Sequence, residues 1–207
     1  MSPSVILIII ISITVVSFVF EQFLEWLNIR NQKKDIPAEV AGYYNEEKYL
    51  RSLQYHKEQT RFSFYSSGFN FLLSVGMLLL GGFGWMDSLL RPAISNPILL
   101  SLIFFAVIGV ASDILSVPFQ WYGTFVIEEK YGFNKTTIKT FVTDKLKGYA
   151  LGAIIGGSLF SVFMWLIQGL GQGFWIWFGA IAAVFILFVN MFYASLILPL
   201  FNKLTPL

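Results

Sequence analysis

The stretch Val5-Ile6-Leu7-Ile8-Ile9-Ile10-Ile11-Ser12-Ile13-Thr14-Val15-Val16-Ser17-Phe18-Val19-Phe20 contains no ionisable side chain. It has no polar–apolar alternation of the kind a half-buried strand shows. It lacks the basic residues that open a secretory leader. It is followed by Glu21, Gln22, Phe23 and Leu24 rather than by the small residues of a cleavage site. Extended to about residue 27, it matches the ~20 apolar helical residues needed to cross a hydrocarbon core of about 30 Å. It reads as a retained membrane helix.

Four more stretches have the same character: residues 64–83, 97–119, 149–170 and 174–200, none of which contains Lys or Arg. The composition agrees. Of 207 residues, 56% are hydrophobic and 13% charged, with mean hydropathy +0.69. Soluble domains carry roughly 25% charged residues, and a chain this apolar cannot cover a soluble surface. Disorder and a disulfide scaffold are excluded, as there is no Cys. One His cannot supply a two-His zinc site within this chain. A net charge of +2 argues against nucleic acid as a partner and leaves the lipid bilayer as the first one.

Basic residues orient the spans. Seven lie between the first and second span, one between the second and third (Arg91), and five between the third and fourth; the fourth turn has none and the tail has Lys203. Thirteen of fourteen therefore share one side, which should be cytoplasmic. The expected fold is an all-α integral membrane bundle of five transmembrane helices, N-terminus outside and C-terminus cytoplasmic.

Two cytoplasmic segments are long enough for structure of their own. In residues 28–61, Asp35 before Pro37 reads as a helix start. Tyr43, Tyr49, Leu50 and Leu53 share a helical face, so an amphipathic surface helix or an extension of the second span is expected. In residues 120–148, Gly132 should break a helix, and Asn134 or Thr136 should cap the next. The turn of residues 169–173 should make the last two spans antiparallel neighbours. Gly152-x-x-x-Gly156, with Gly157, offers a small-residue stripe for close helix packing.

Polar groups inside the spans are candidates for lining a chamber. Asp113 reads either as a chamber wall or proton site, or as an interfacial carboxylate satisfied by Ser112, Ser116 and water. Asn190 reads either as a bond to a neighbouring helix or as a cavity lining. Glu21 and Glu25 lack a His or metal motif beside them, and His56 reads as a surface residue. No P-loop, G-x-S-x-G or H-E-x-x-H occurs.

Thr124-Phe125-Val126-Ile127-Glu128-Glu129-Lys130-Tyr131-Gly132-Phe133-Asn134-Lys135-Thr136 resembles the signature loop of the type I CAAX prenyl proteases, integral-membrane zinc metalloproteases. Pro118-Phe119 and Tyr122 before it, and Asp144-x-x-Lys147 after it, agree with that family. So do Tyr49-x-x-Ser52-x-x-Tyr55 ahead of Thr60-x-Phe62, and residues 199–207, which are similar to the family's junction between fifth helix and protease domain. The resemblance covers residues 39–207. It implies that residues 1–207 form the N-terminal transmembrane domain, with the catalytic domain following Leu207. It also implies that zinc belongs to the full-length enzyme through an H-E-x-x-H helix, and that this chain, without catalytic or metal-binding residues, is inactive alone. Implied partners are the protease domain and a prenylated CAAX protein or membrane-protein substrate. The implied location is the bacterial inner membrane, or the endoplasmic reticulum or inner nuclear membrane. Glu128, Glu129, Gly132, Phe133, Asn134, Lys135 and Thr136 are implied to brace the protease domain or line substrate access, or else to cap and anchor their own loop. Competing readings are a stand-alone membrane scaffold or binding protein derived from this domain, and a small transporter suggested by Asp113 and Asn190.

Overall fold

The computed structural model describes residues 2–32, 36 and 45–201. Among these the secondary structure is helical throughout. This is the expected outcome where a backbone must satisfy its hydrogen bonds without water. The helix start read at Asp35 and the face position of Tyr43 lie outside the described residues, as does the tail beyond Phe201.

The chain divides into two compact units, residues 1–89 with 109–135, and residues 90–108 with 136–207.

In the first unit, α1 (Pro3–Arg30) opens with Ser2 as N-cap and Pro3 in its first turn. At 1.5 Å per residue it is about 42 Å long, enough to cross the core and reach the interface. There the Arg30 guanidinium sits 5.1 Å from the Trp26 ring. None of its residues is fully buried. α2 (Glu46–Leu79) starts where Asn45 accepts a hydrogen bond from the Lys48 amide at 3.0 Å. The two run antiparallel. Phe18 stacks on Phe71 at 4.1 Å, Ser67 donates to Gln22 at 3.4 Å, and Gln32 donates to the Leu53 carbonyl at 3.5 Å.

α2 settles one expectation and corrects another. It is one unbroken helix, so residues 46–61 are an extension of the second span rather than a separate surface helix. Its far end comes earlier than the apolar run suggests. Gly81 takes a left-handed φ of 70°, and Gly82–Leu90 forms a separate short helix, α3. Apolarity continues through that turn, so hydropathy alone does not locate it.

α4 (Pro97–Tyr122) is capped by Asn96, whose Oδ1 accepts from the amides of Ile98 and Leu99 at 2.9 and 3.0 Å. Its first turns belong to the second unit and the rest to the first. Pro118 removes a backbone donor without ending the helix. The chain passes through a π-helical segment, Gly123–Glu128, into the single turn α5, Glu129–Tyr131. The helical run therefore continues to Tyr131, up to the break expected at Gly132. It packs antiparallel on α2, with Phe119 against Phe69 (5.1 Å) and Tyr122 against Phe62 (4.7 Å).

In the second unit, α6 (Ile138–Leu151), a π segment (Gly152–Gly156) and α7 (Gly157–Leu170) lead to a 3₁₀ turn, Gly171–Gly173. α8 (Phe174–Phe192), a third π segment (Tyr193–Ile197) and α9 (Leu198–Phe201) follow. As one rod, Ile138–Phe201 would measure about 96 Å, far beyond one bilayer. Gly171, at φ 54°, reverses the chain, so this run supplies two spans. Phe163 of α7 meets Phe174 and Phe178 of α8 at 5.6 and 4.6 Å, the antiparallel neighbours expected. Phe105 of α4 packs on Phe160 at 5.1 Å. Four helical runs are long and apolar enough to cross a membrane, and with this reversal they give five spans.

The glycine stripe does not behave as expected. A Cβ built on Gly152, Gly156 or Gly157 would meet no atom within 4 Å among the described residues. Among the described residues no helix approaches closely there, and residues 152–156 form a π segment.

Candidate functional site

The signature segment is held by the extension of α2, outside the apolar span that begins near residue 64. Antiparallel packing brings one face of that extension, Arg51, Tyr55 and Glu58, level with residues 128–134. Glu58 is the hub. Its Oε2 accepts from Lys130 Nζ at 2.6 Å and from the Tyr131 hydroxyl at 2.7 Å. These two bonds, Lys130 first, hold the Glu58 carboxyl below its ordinary value; the same carboxylate raises the Lys130 ammonium and the Tyr131 phenol. The Tyr55 ring meets the edges of Tyr131 (5.6 Å) and Phe133 (4.9 Å). Burial first, and the charge of Glu128 second, raise the Tyr55 phenol. Directly before the cluster, Ile127 is fully buried, and Thr60 is buried on α2.

Gly132 ends α5 as expected, at φ 71°. Its amide bonds the Glu129 carbonyl (3.0 Å), and the Phe133 amide bonds the Glu128 carbonyl (2.9 Å). This pair is the Schellman arrangement. The Arg51 guanidinium lies only 3.3 Å from where a Cβ on Gly132 would stand. Asn134 donates its side-chain amide to Glu129 Oε2 at 2.9 Å and its position is thereby tied to α5. The helix cap expected at Asn134 or Thr136 belongs instead to Thr137, whose hydroxyl accepts from the Thr140 amide at 3.1 Å.

The structure thus brings Glu128, Glu129, Gly132, Phe133 and Asn134 together as one folded turn. Lys135 is exposed just beyond it, and Thr136 is half-buried ahead of the α6 cap. Asp113, half-buried on α4, accepts from Gln120 Nε2 at 3.1 Å, a partner other than the serines expected for an interfacial role. Asn190 is exposed on α8 and donates back to the Ile186 carbonyl of its own helix at 2.8 Å.

Arg51 and Glu58 were not among the sequence candidates. Tyr55-x-x-Glu58 places an aromatic and an acid one helical turn apart, a signal available in the sequence. Their partners, however, lie more than seventy positions away.

In the second unit, Lys147 of α6 donates to the Leu200 carbonyl at 2.7 Å, pairs with Asp144 at 3.3 Å and stands 5.6 Å from the Phe201 ring. It ties the start of the fourth span to the end of the fifth. Around it is a cleft of about 420 Å³ lined by Thr140, Thr143, Asp144, Pro199 and Leu200. Among the described residues no three His, Cys, Asp or Glu side chains converge as a metal site requires.

The family model described as "CAAX prenyl protease N-terminal, five membrane helices" matches residues 25–203. A "Probable CAAX prenyl protease 1" of Schizosaccharomyces pombe is 35% identical over 83% of this chain and 39% of its own length. A "CAAX prenyl protease 1 homolog" of Arabidopsis thaliana is 31% identical over 96% of this chain and 49% of its own length. The crystal structure of S. mikatae Ste24p superposes with a TM-score of 0.84 at 26% identity, covering 97% of this chain and 49% of that one. The chain spans about half the length, or less, of these relatives. It is an integral membrane protein, and by the match over residues 25–203 it belongs to the CAAX prenyl protease family, to whose N-terminal five-helix membrane portion it corresponds.

Proposed function

We propose that these 207 residues are the non-catalytic N-terminal membrane domain of a zinc metalloendopeptidase of the CAAX prenyl protease type. They form part of an intramembrane chamber and support substrate access to a zinc site built elsewhere in the protein. The observation that carries this reading is the family match along residues 25–203 in a chain that covers half or less of its named relatives. With a single His, the sequence holds no H-E-x-x-H, so the two-His zinc motif is supplied by sequence outside these residues, and this portion does not cleave peptides by itself. Zinc there would activate water for peptide hydrolysis.

The role of the present residues is positional. The Glu58–Lys130–Tyr131 cluster and the Gly132 turn fix a compact cytoplasmic element carrying Glu128, Glu129, Asn134 and Lys135, which braces the protease domain or borders the substrate's path. Lys147 of α6 holds the Leu200 carbonyl near the end of the fifth span. Asp113 in the first unit and Asn190 in the second are each proposed, separately, as chamber-lining polar groups of their own spans. The substrate class inferred is a prenylated CAAX protein, supported by relatives named CAAX prenyl protease 1, and the inferred location is the endoplasmic reticulum or inner nuclear membrane, the eukaryotic alternative, since the relatives named are eukaryotic.

Co-expression tests the reading. The chain and the separately encoded remaining part of the S. pombe relative should co-purify and together cleave a prenylated CAAX peptide, with loss on zinc chelation and no cleavage by either part alone. Independent folding of both parts without association counts against it.

A further inference from the structure

α1 and α2 carry the same step at the same depth. On α1 the Arg30 guanidinium lies 5.1 Å from the ring of Trp26, one turn further into the membrane. On α2 Arg61 stands one turn outside Tyr65, which is 74% exposed. The apolar runs end near residue 27 and begin near residue 64. Arg30 and Arg61 each lie three residues beyond those limits, about 4.5 Å along the helix. The headgroup layer is about 5–7 Å deep on each side, so both residues fall within it. A helical side chain leans toward its own N-terminus. That lean brings Arg30 back over Trp26 and carries the Tyr65 hydroxyl out toward Arg61.

The two steps also share one side of the helix pair. Phe18 and Gln22 of α1 mark its contact with Phe71 and Ser67 of α2. At about 100° per residue, Trp26 and Arg30 sit roughly a quarter turn from that contact on α1, and Lys57, Arg61 and Tyr65 roughly a quarter turn from it on α2. Because the helices are antiparallel, both rotations lead to the same side. Deeper on this side the exposed residues are apolar, Val19 on α1 and Leu72 on α2. The same rotation in the other sense leads to Glu21 of α1 and to Ser66 and Asn70 of α2, a polar side. The apolar side with an aromatic rim and basic residues just outside it has the order of a lipid interface.

No acid answers these cations. Among the described residues none of Arg30, Lys57 and Arg61 forms an ion pair, and all three are exposed. Lys57 and Arg61 are four apart on one helix and repel each other. The nearest acid of α2, Glu58, already accepts from Lys130 and Tyr131. Glu21 and Glu25 of α1 lie on the other side of the helix contact. An anion at the level of the two arginines is the missing complement.

We propose that this side of the α1–α2 pair binds an anionic phospholipid headgroup of the leaflet on the basic side, with Arg30 and Arg61 as the recognising groups. Trp26 takes the face of the Arg30 guanidinium and leaves its N–H edge for phosphate oxygens. Tyr65 supplies a neutral donor, and Lys57 adds charge from one turn further out. The proposal does not depend on the proteolytic reading. It requires only the membrane fold.

The chain has no Cys, and a Cβ on Gly68 meets no atom within 4 Å among the described residues. Gly68 lies on the same side as Arg61, two turns further in. Gly68→Cys in the full 207 residues therefore takes a single nitrobenzoxadiazole fluorophore. The protein is placed in vesicles of phosphatidylcholine with phosphatidylserine, with a spin-labelled version of one lipid or the other. The fluorophore should be quenched by spin-labelled lipid and shielded from iodide. Phosphatidylserine should quench roughly twofold or more over phosphatidylcholine. Arg30→Gln with Arg61→Gln should bring that ratio to about one, while Arg30→Lys with Arg61→Lys should keep it above one, separating charge from folding. The same fluorophore on Ser66→Cys, on the other side of α2, should show no preference. Weak quenching by both lipids at Gly68→Cys would overturn the proposal and assign the face to protein or water. Equal quenching by the two lipids, a ratio that survives the double Gln change, or an equal preference at Ser66→Cys would overturn headgroup recognition at this site.

Discussion

Tyr131 donates its hydroxyl to Glu58 at 2.7 Å, joining the turn that follows the third span to the helix that leads into the second. Lys130 makes a second bond to the same oxygen, but its side chain is 58% exposed, so that ion pair is screened by solvent. The weight of the junction falls on the Tyr131 bond and on the Tyr55 ring packed against Tyr131 and Phe133.

Tyr131→Phe removes the hydroxyl and keeps the ring contact with Tyr55. A loss of about 1 kcal/mol is expected. Thermal unfolding in detergent, combined with Glu58→Gln and the double variant, measures it. Non-additivity of the two single changes is the expected sign of direct coupling.

The same junction sets an acid limit. The folded-state pKa of Glu58 lies below its ordinary value of 4.5, chiefly through the Lys130 bond and then the Tyr131 bond. The resulting stability is present above 4.5 and disappears as pH falls through the lower, folded value. Lys130 is shifted up from 10.5, so its share is complete below 10.5 and fades only as pH rises through its folded value. The melting temperature of the wild type should fall more steeply with acid than that of Glu58→Gln. Parallel curves would remove Glu58 from the account.

Gly132 is required by geometry. Its φ of 71° costs a residue with a Cβ about 1–2 kcal/mol, and Arg51 crowds the same position. Gly132→Ala should therefore destabilise the turn, with Gly132→Asn the milder change, because Asn tolerates the left-handed region better. Amide exchange of residues 129–134 reports it.

Much of this was legible in sequence and some was not, for physical reasons. Span number and the break at Gly132 follow from composition, charge and local conformation, and local chemistry is what a sequence carries directly. The turn at Gly81 lies inside apolar sequence and left no hydropathy signal. The helix continues past Pro118, and among the described residues nothing comes close to Gly152 and Gly156; neither is a local property of the sequence. Glu58 was missed because its partners are set by the register of two antiparallel helices. The expected cap lies one to three residues early because Asn134, Thr136 and Thr137 are all able cap formers; Asn134 bonds Glu129 instead, and it is the Thr137 hydroxyl that accepts from the Thr140 amide.

Topology has a direct check, since the chain has no Cys. Lys135→Cys should react with an impermeant maleimide from the cytoplasmic side and Arg91→Cys from the opposite side. The reverse pattern, or both from one side, would overturn the orientation taken from the basic residues.

The central claim is that this chain supplies the membrane half of a prenyl-protein endopeptidase. Fusing residues 1–207 to the remaining part of the S. pombe relative, in place of that relative's own matching portion, tests it most directly. The fusion should cleave a prenylated CAAX peptide, lose activity on zinc chelation, and lose much of it in the Glu58→Gln, Tyr131→Phe variant. A fusion that binds zinc and melts cooperatively yet cleaves no prenylated peptide would contradict the account.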